Sequence, residues 1–267
     1  LQDEAKALDP LHDDESSRRK ALRFVVLIGV LSFFADFTYE GARSVTGPYM
    51  ASLQASGAIV GVVAGLGELL GYGLRLVSGR WADASGRYWP IAIFGYVIQM
   101  AAVPALALTG SWQTAAGLIL LERVGKAIRN PPRDVMLAGA GKQLGGYGWA
   151  FGLHEALDQF GAMFGPLAVA AVLAHHGGYR EAFAVLLVPA LINLGLVLAA
   201  RLLYPKPEDM ETSSPSPAGP QLPLTFWVYL SGAALVAAGF ADWALVAFHF
   251  SRAATVPGEW IAIFYAV

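Results

Sequence analysis

Three charged residues interrupt a long apolar stretch at the spacing of one helix face, with Asp36, Glu40 and Arg43 at i, i+4 and i+7. Two carboxylates one turn apart in a low dielectric repel, and the conflict is removed either by a proton on one of them or by the guanidinium. The first solution is the chemistry of a proton carrier. The second is a structural salt bridge between Glu40 and Arg43, and both stay open. Glu68 and Arg75 lie two turns apart in a second apolar stretch, where Arg75 either reaches a polar boundary while Glu68 pairs elsewhere, or both serve transport. A third concentration is Glu122-Arg123-Val124-Gly125-Lys126-Ala127-Ile128-Arg129, closed by Asn130-Pro131-Pro132-Arg133-Asp134. Glu122 and Lys126 form a favourable i, i+4 pair, leaving Arg123 to attract an anion or a carboxylate of the first stretch. Lys126, Arg129 and Arg133 read as markers of the cytoplasmic interface, and Asp134 as a cap or a partner for the arginines after Gly79.

The elements that must position these groups are membrane helices. With 56% apolar and only 14% charged residues, and a mean hydropathy of +0.51, a soluble fold would lack polar surface. A net charge of −2 gives no basic excess for nucleic acid, and the absence of cysteine excludes disulfides, thiolate metal sites and Cys nucleophiles. Hydropathy predicts helices over Leu22–Arg43, Ser56–Ser78, Tyr88–Leu108, Gln113–Asn130, Gly146–His175, Tyr179–Tyr204 and Leu224–Phe250, with an eighth starting near Pro257. At 1.5 Å per residue, Ser56–Ser78 and Tyr88–Leu108 are each long enough to cross about 30 Å of hydrocarbon. Arginine and lysine concentrate on one side of these segments, which places the amino terminus in the cytoplasm. The expected organisation is a solvated arm over 1–21, a six-helix bundle over 22–204, a Pro- and Ser-rich cytoplasmic linker over 205–223, and the start of a second bundle over 224–267. Phe34-Ala35-Asp36-Phe37 recurs as Phe240-Ala241-Asp242-Trp243, with Arg43 and His249 each seven residues on, an internal repeat in parallel orientation. The second bundle is incomplete, so the chain is expected to be a fragment. Along the second helix, Gly57, Gly61, Gly65, Gly67 and Gly71 are expected to let a neighbour approach closely.

In the fifth helix His154, Asp158, Gly161 and Gly165 share a face, beside Glu155. His-Glu-x-x-Asp is similar to the zinc-protease helix motif but lacks its second histidine, so no metal is expected. No cofactor is expected, and no nucleophile paired with a base suggests an enzyme.

Gly79-Arg80-Trp81-Ala82-Asp83-Ala84-Ser85-Gly86-Arg87 is a charged turn between two apolar segments, expected as a membrane-surface loop. It resembles the loop between helices 2 and 3 of the major facilitator superfamily, G-x-L-x-D-x-x-G-R-[RK], with Gly79, Asp83, Gly86 and Arg87 in register and Trp81 and Tyr88 departing from it. Gly161, Gly165 and Pro166 match that family's antiporter-associated helix-5 motif, G-x-x-x-G-P. Arg123 and Gly125 fit its helix-4 pattern loosely. The resemblance implies an all-α membrane protein with two six-helix bundles that rock about a midplane site. It implies transport of a small solute coupled to protons, with export by antiport preferred over symport or facilitated uptake. A receptor or scaffold that lost transport is the rival from another class. The expected solute and proton pathway is Asp36, Glu40, Arg43, Glu68, Arg123, His154, Glu155, Asp158 and Asp242. Phe37, Tyr39, Trp149, Phe151 and Trp243 are candidate cavity aromatics. Asp83 is expected at the cytoplasmic junction of the bundles, left here with Arg80, Arg87 or the loop after the fourth helix.

Overall fold

The computed structural model describes residues 2–205 and 223–267, and from 206 to 222 the expected linker lies outside the described residues. Every described element is helical: α1 (Gln2–Ser52), α2 (Gly57–Ser85), α3 (Tyr88–Ala105), α4 (Trp112–Gln143), α5 (Tyr147–Ala174), α6 (Tyr179–Val185), α7 (Leu187–Leu203), α8 (Leu224–Ala238), α9 (Trp243–Ala253) and α10 (Gly258–Ala266). Six spans have the length and apolarity to cross a membrane, with α6–α7 and α8–α9 each counting as one. The charged helix α4 is as long as these. The chain is an integral, multi-pass membrane protein.

Several boundaries differ from those read in the sequence, each for a physical reason. Helix α1 continues from the expected arm without a break, through residues such as Ala21, Arg19 and Lys20 that have high helix propensity. Arg19 pairs with Glu15 at 2.6 Å one turn back. The surface turn is far shorter than Gly79–Arg87. Helix α2 runs to Ser85 and stops at Gly86, whose φ of 61° suits a residue without a Cβ and whose N–H donates to the Ala82 carbonyl at 2.9 Å.

Helix α4 does not close at Asn130 but continues through Pro131 and Pro132. Proline at 131 has no N–H for the carbonyl four residues back. That carbonyl, of Ala127, instead accepts the Ser78 hydroxyl of α2 at 2.7 Å. The last expected span is interrupted. Residues 239–242 leave the helix, and Asp242 caps α9 by accepting the Ala244 N–H at 2.8 Å.

Helix α1 is the hub, packing most extensively on α5 and also on α9, α7 and α4, while α4 lies against α3 and α2. Glycine permits the closest of these approaches. A Cβ on Gly161 or Gly165 would collide with the carbonyls of Phe33 and Phe37 in α1. A Cβ on Gly125 would come within 2.7 Å of the Gln99 nitrogen, and one on Gly95 within 2.6 Å of the Arg129 nitrogen. The glycines of α2 do less than expected. Gly57, Gly61 and Gly67 meet side chains, whereas Gly65 and Gly71 face open space.

The apolar core is split in two. One cluster includes Phe24, Ile28, Leu31, Ala35, Trp89 and Leu137. The other includes Ala42, Val45, Tyr49, Val60, Leu106 and Phe183. Along α1 the first cluster ends at Ala35 and the second begins at Ala42. Asp36, Tyr39 and Glu40 lie between them, so the fold itself sets aside a polar layer.

Candidate functional site

That layer is supplied by α1, α2, α3 and α4, joined by α9 and α10. At its centre Arg129 is fully buried. Its guanidinium donates to Gln99 and Tyr96 of α3, the latter at 3.2 Å, and to Asp36 of α1 at 3.4 Å. Its plane also lies over the Tyr96 ring, 4.7 Å from the centroid. Gln99 completes the link by donating to Glu122 at 2.9 Å. An isolated ion would be costly here, so the shared partners are what allow a buried arginine to persist.

One turn along α4, Lys126 sits 3.7 Å above the Tyr39 ring, with its ammonium 3.9 Å from Asp36 and 4.0 Å from Glu40. Glu40 also accepts a short hydrogen bond from the Tyr265 hydroxyl of α10. Farther along, Glu68 of α2 holds two arginines, Arg43 at 3.0 Å and Arg123 at 3.1 Å. Arg43 reaches Asp242 at 3.3 Å and donates to Tyr39 at 3.1 Å, and Arg123 donates to the same hydroxyl. Arg43 therefore pairs with Glu68 and Asp242, in place of the Glu40 bridge open in the sequence. At the opposite end of the layer, the Ser32 hydroxyl and His154 Nε2 are 2.7 Å apart, and Arg133 donates to Ser32 at 3.4 Å.

The structure thus gathers Asp36, Glu40, Arg43, Glu68, Arg123 and Asp242, with His154 adjoining through Ser32. Asp158 stands one turn from His154, and its Oδ1 is buried without a hydrogen-bond partner. Glu155 does not join them: it is exposed and accepts from Gln159 at 2.8 Å. One ligand atom each of His154, Glu155 and Asp158 lies within 4.8 Å of the others. With His154 engaged by Ser32 and Arg133 beside that hydroxyl, the set offers a cation a poor field.

Lys126, Arg129 and Arg133 require a correction, because none marks the interface. Arg129 and Arg133 are buried and Lys126 is only 18% exposed. The signal was their spacing. Glu122, Lys126, Arg129 and Arg133 follow one another by four, three and four residues, a single stripe of one helix. Tyr96, Gln99 and Tyr265 gave no comparable pattern, being single polar groups in apolar runs.

The family-motif residues divide. Gly161, Gly165 and Pro166 lie buried in α5, the two glycines against α1. Gly79 and Gly86 belong to the end of α2, near exposed Arg87. Asp83 is exposed, and among the described residues it makes neither an ion pair nor a side-chain hydrogen bond, so the local arginine partners expected for it are not engaged.

Beyond the layer, α9 and α10 seal one side. Trp243 donates to the Ser44 carbonyl at 2.9 Å, and Gly47 of α1 packs on the Ala244 backbone. Helix α8, in contrast, has no buried residue, and an open cleft separates it from α2.

The described helices, with a buried charged layer and an open cleft beside it, make a polytopic membrane fold. The Major Facilitator Superfamily model matches residues 26–266, and the chain belongs to that family. It is 43% identical over 253 residues to an uncharacterised protein of Mycobacterium tuberculosis, covering 92% of this chain and 62% of that one. An uncharacterised MFS-type transporter of Methanocaldococcus jannaschii is 28% identical over 155 residues, covering 58% of this chain and 38% of the relative. The chain therefore spans about three fifths, or less, of these relatives. Among solved structures, a bacterial homologue of the human lysosomal transporter Spinster, inward-facing and unoccupied, superposes with a TM-score of 0.65 at 19% identity, covering 94% of this chain and 59% of that one. A bacterial homologue of the human drug peptide transporters PepT1 and PepT2 gives 0.60 at 18% identity, covering 92% and 52%. These likenesses establish the fold.

Proposed function

We propose that the protein moves a small solute across the membrane by alternating access, with protons as the coupling ion and export by exchange as the direction. The observation that carries this reading is the buried layer in which Asp36, Glu40, Glu68 and Glu122 are held by Arg43, Arg123, Lys126 and Arg129. Charges at bilayer depth cost roughly 2.5 to 3.5 kcal/mol each on insertion scales, and a receptor or scaffold gains nothing from retaining them. Carboxylates whose partners are shared and exchangeable suit a coupling role, because taking up a proton releases a cation for a new contact. The sealed side at α9 and α10 and the cleft beside α8 fit one state of an alternating cycle. The preference for exchange rests on the resemblance of Gly161, Gly165 and Pro166 to the antiporter-associated motif. Localisation in the plasma membrane with a cytoplasmic amino terminus completes the reading.

Flux into proteoliposomes holding the full-length protein, with and without an imposed pH gradient, tests it. Solute accumulation against its gradient, driven by protons moving the other way, is the expected result. Movement with the proton gradient would establish symport, insensitivity to pH would establish facilitated diffusion, and absence of flux for any solute would leave a scaffold.

A further inference from the structure

We propose that the pocket between α1, α2 and α4 receives the anionic head of an amphipathic solute, a carboxylate or phosphate ester carrying an apolar body. The term solute rests on the transport reading above; the binding site does not.

The pocket is small and is lined by Tyr39, Arg43, Glu68, Arg75, Arg123 and Lys126, among others. Four cations and one carboxylate line it, although Arg43 and Arg123 also have Asp242 and Glu122 as partners outside the lining. Glu68 is already divided between Arg43 and Arg123. Lys126 stands 3.9 and 4.0 Å from its two carboxylates, beyond hydrogen-bond reach. Among the described residues Arg75 has no carboxylate within 4.0 Å and only stacks on Tyr72, 4.8 Å from the ring centroid. The Nε atoms of Arg75 and Arg43 are both buried without a hydrogen-bond partner. Two arginines that line one small pocket, each with a buried Nε–H left without an acceptor, beside a loosely held ammonium, suit an acceptor-rich anion. A neutral carbonyl accepts from such donors but brings no charge to the cations, and a cationic head is repelled by them.

The body of the solute is implied by what adjoins. A second cavity shares Tyr39, Arg43 and Arg123 with the first; its walls are mostly apolar, among them Met50, Val60, Val63, Val103, Leu106 and Ile119, with Glu122 and Asp242 at its polar end beside the two arginines. Such a lining favours hydrocarbon and offers it few polar contacts. An anion with an apolar tail fills both spaces at once, with Tyr39 at the junction.

Calorimetric binding to the full-length protein in phosphatidylcholine nanodiscs tests the proposal, with octanoate, its isostere octanamide, and inorganic phosphate as probes. Octanoate should bind at least about tenfold more tightly than octanamide, a difference of about 1.4 kcal/mol, and more tightly than phosphate. Arg75→Gln and Lys126→Gln should each erase the preference for the carboxylate, and Arg75→Lys should keep most of it. Equal binding of acid and amide by the wild-type protein overturns the proposal without need of any variant, as does undiminished octanoate binding by Arg75→Gln. Phosphatidylglycerol added to the nanodisc separates the two sources of an anion. Little effect on octanoate binding supports a solute site, whereas loss of that binding in the wild type identifies a lipid-headgroup site and overturns the solute assignment. Binding without flux would remove the transport reading and leave the anion site standing, and flux without carboxylate preference would do the reverse.

Discussion

At the scale of single residues, Arg129 shows how a charge becomes part of a membrane core. Its guanidinium has three side-chain partners on two other helices. Replacing Asp36 by Asn leaves Arg129 and Lys126 short of a counter-charge in a dry layer. A broken buried pair costs about 3 to 5 kcal/mol, while removing both partners together is far milder. Thermal unfolding of purified protein should therefore show a large loss for Asp36→Asn and for Arg129→Gln, with substantial recovery in the double variant. Additive losses would show that the two do not act as a pair. Glu40 provides the contrasting case. Its partners are the Tyr265 hydroxyl and a distant Lys126, so Glu40→Gln keeps the shape and one hydrogen bond. That variant should fold with near-normal stability and lose pH-driven transport while retaining solute exchange. Unaltered proton dependence would assign Glu40 to structure.

At the scale of elements, the close helix pairs are set by glycine on one helix and backbone on the other. A Cβ on Gly125 would stand 2.7 Å from the Gln99 backbone nitrogen, and backbone cannot step aside as a side chain can. Overpacking of this kind costs typically 1 to 3 kcal/mol and here would also displace Glu122 and Arg129 on the same helix. Gly125→Ala should lower the Tm and reduce the yield of folded protein, whereas Gly65→Ala, facing open space, should be neutral or slightly stabilising. Equal behaviour of the two would argue against the α3–α4 packing described here. The glycine-rich look of α2 misled at this scale, because small residues four apart signal a possible close approach without naming the helix that makes it.

At the scale of the whole molecule, we propose the exposed end of α2 as the place where a conformational bias acts. Asp83 is uncovered and unpaired among the described residues, available to accept hydrogen bonds from a helix N-terminus in another part of the full-length protein. A contact of that kind is worth roughly 0.3 to 2 kcal/mol, and if made in one state only it shifts the balance by its full value. Asp83→Asn should change the transport rate and the labelling of sites open to one side, with affinity in each separate state unchanged. A changed solute preference with unaltered labelling would refute the latch.

The sequence by itself determined that the chain lives in a bilayer, because hydropathy sums over long segments and needs no knowledge of neighbours. It also determined that charges lie at bilayer depth, and motifs such as Gly79 to Arg87 carried the family. Which charges meet was decided only by tertiary structure. Arg43 had Glu40 one turn away along its own helix, yet it reaches across to Glu68 and Asp242 because helix rotation and crossing set those distances. Lys126, Arg129 and Arg133 had the composition of an interface and became the interior, since glycines 95 and 125 draw α3 and α4 together around Arg129 and α4 continues past its prolines. Spacing along a helix predicts a face; only packing decides what that face touches.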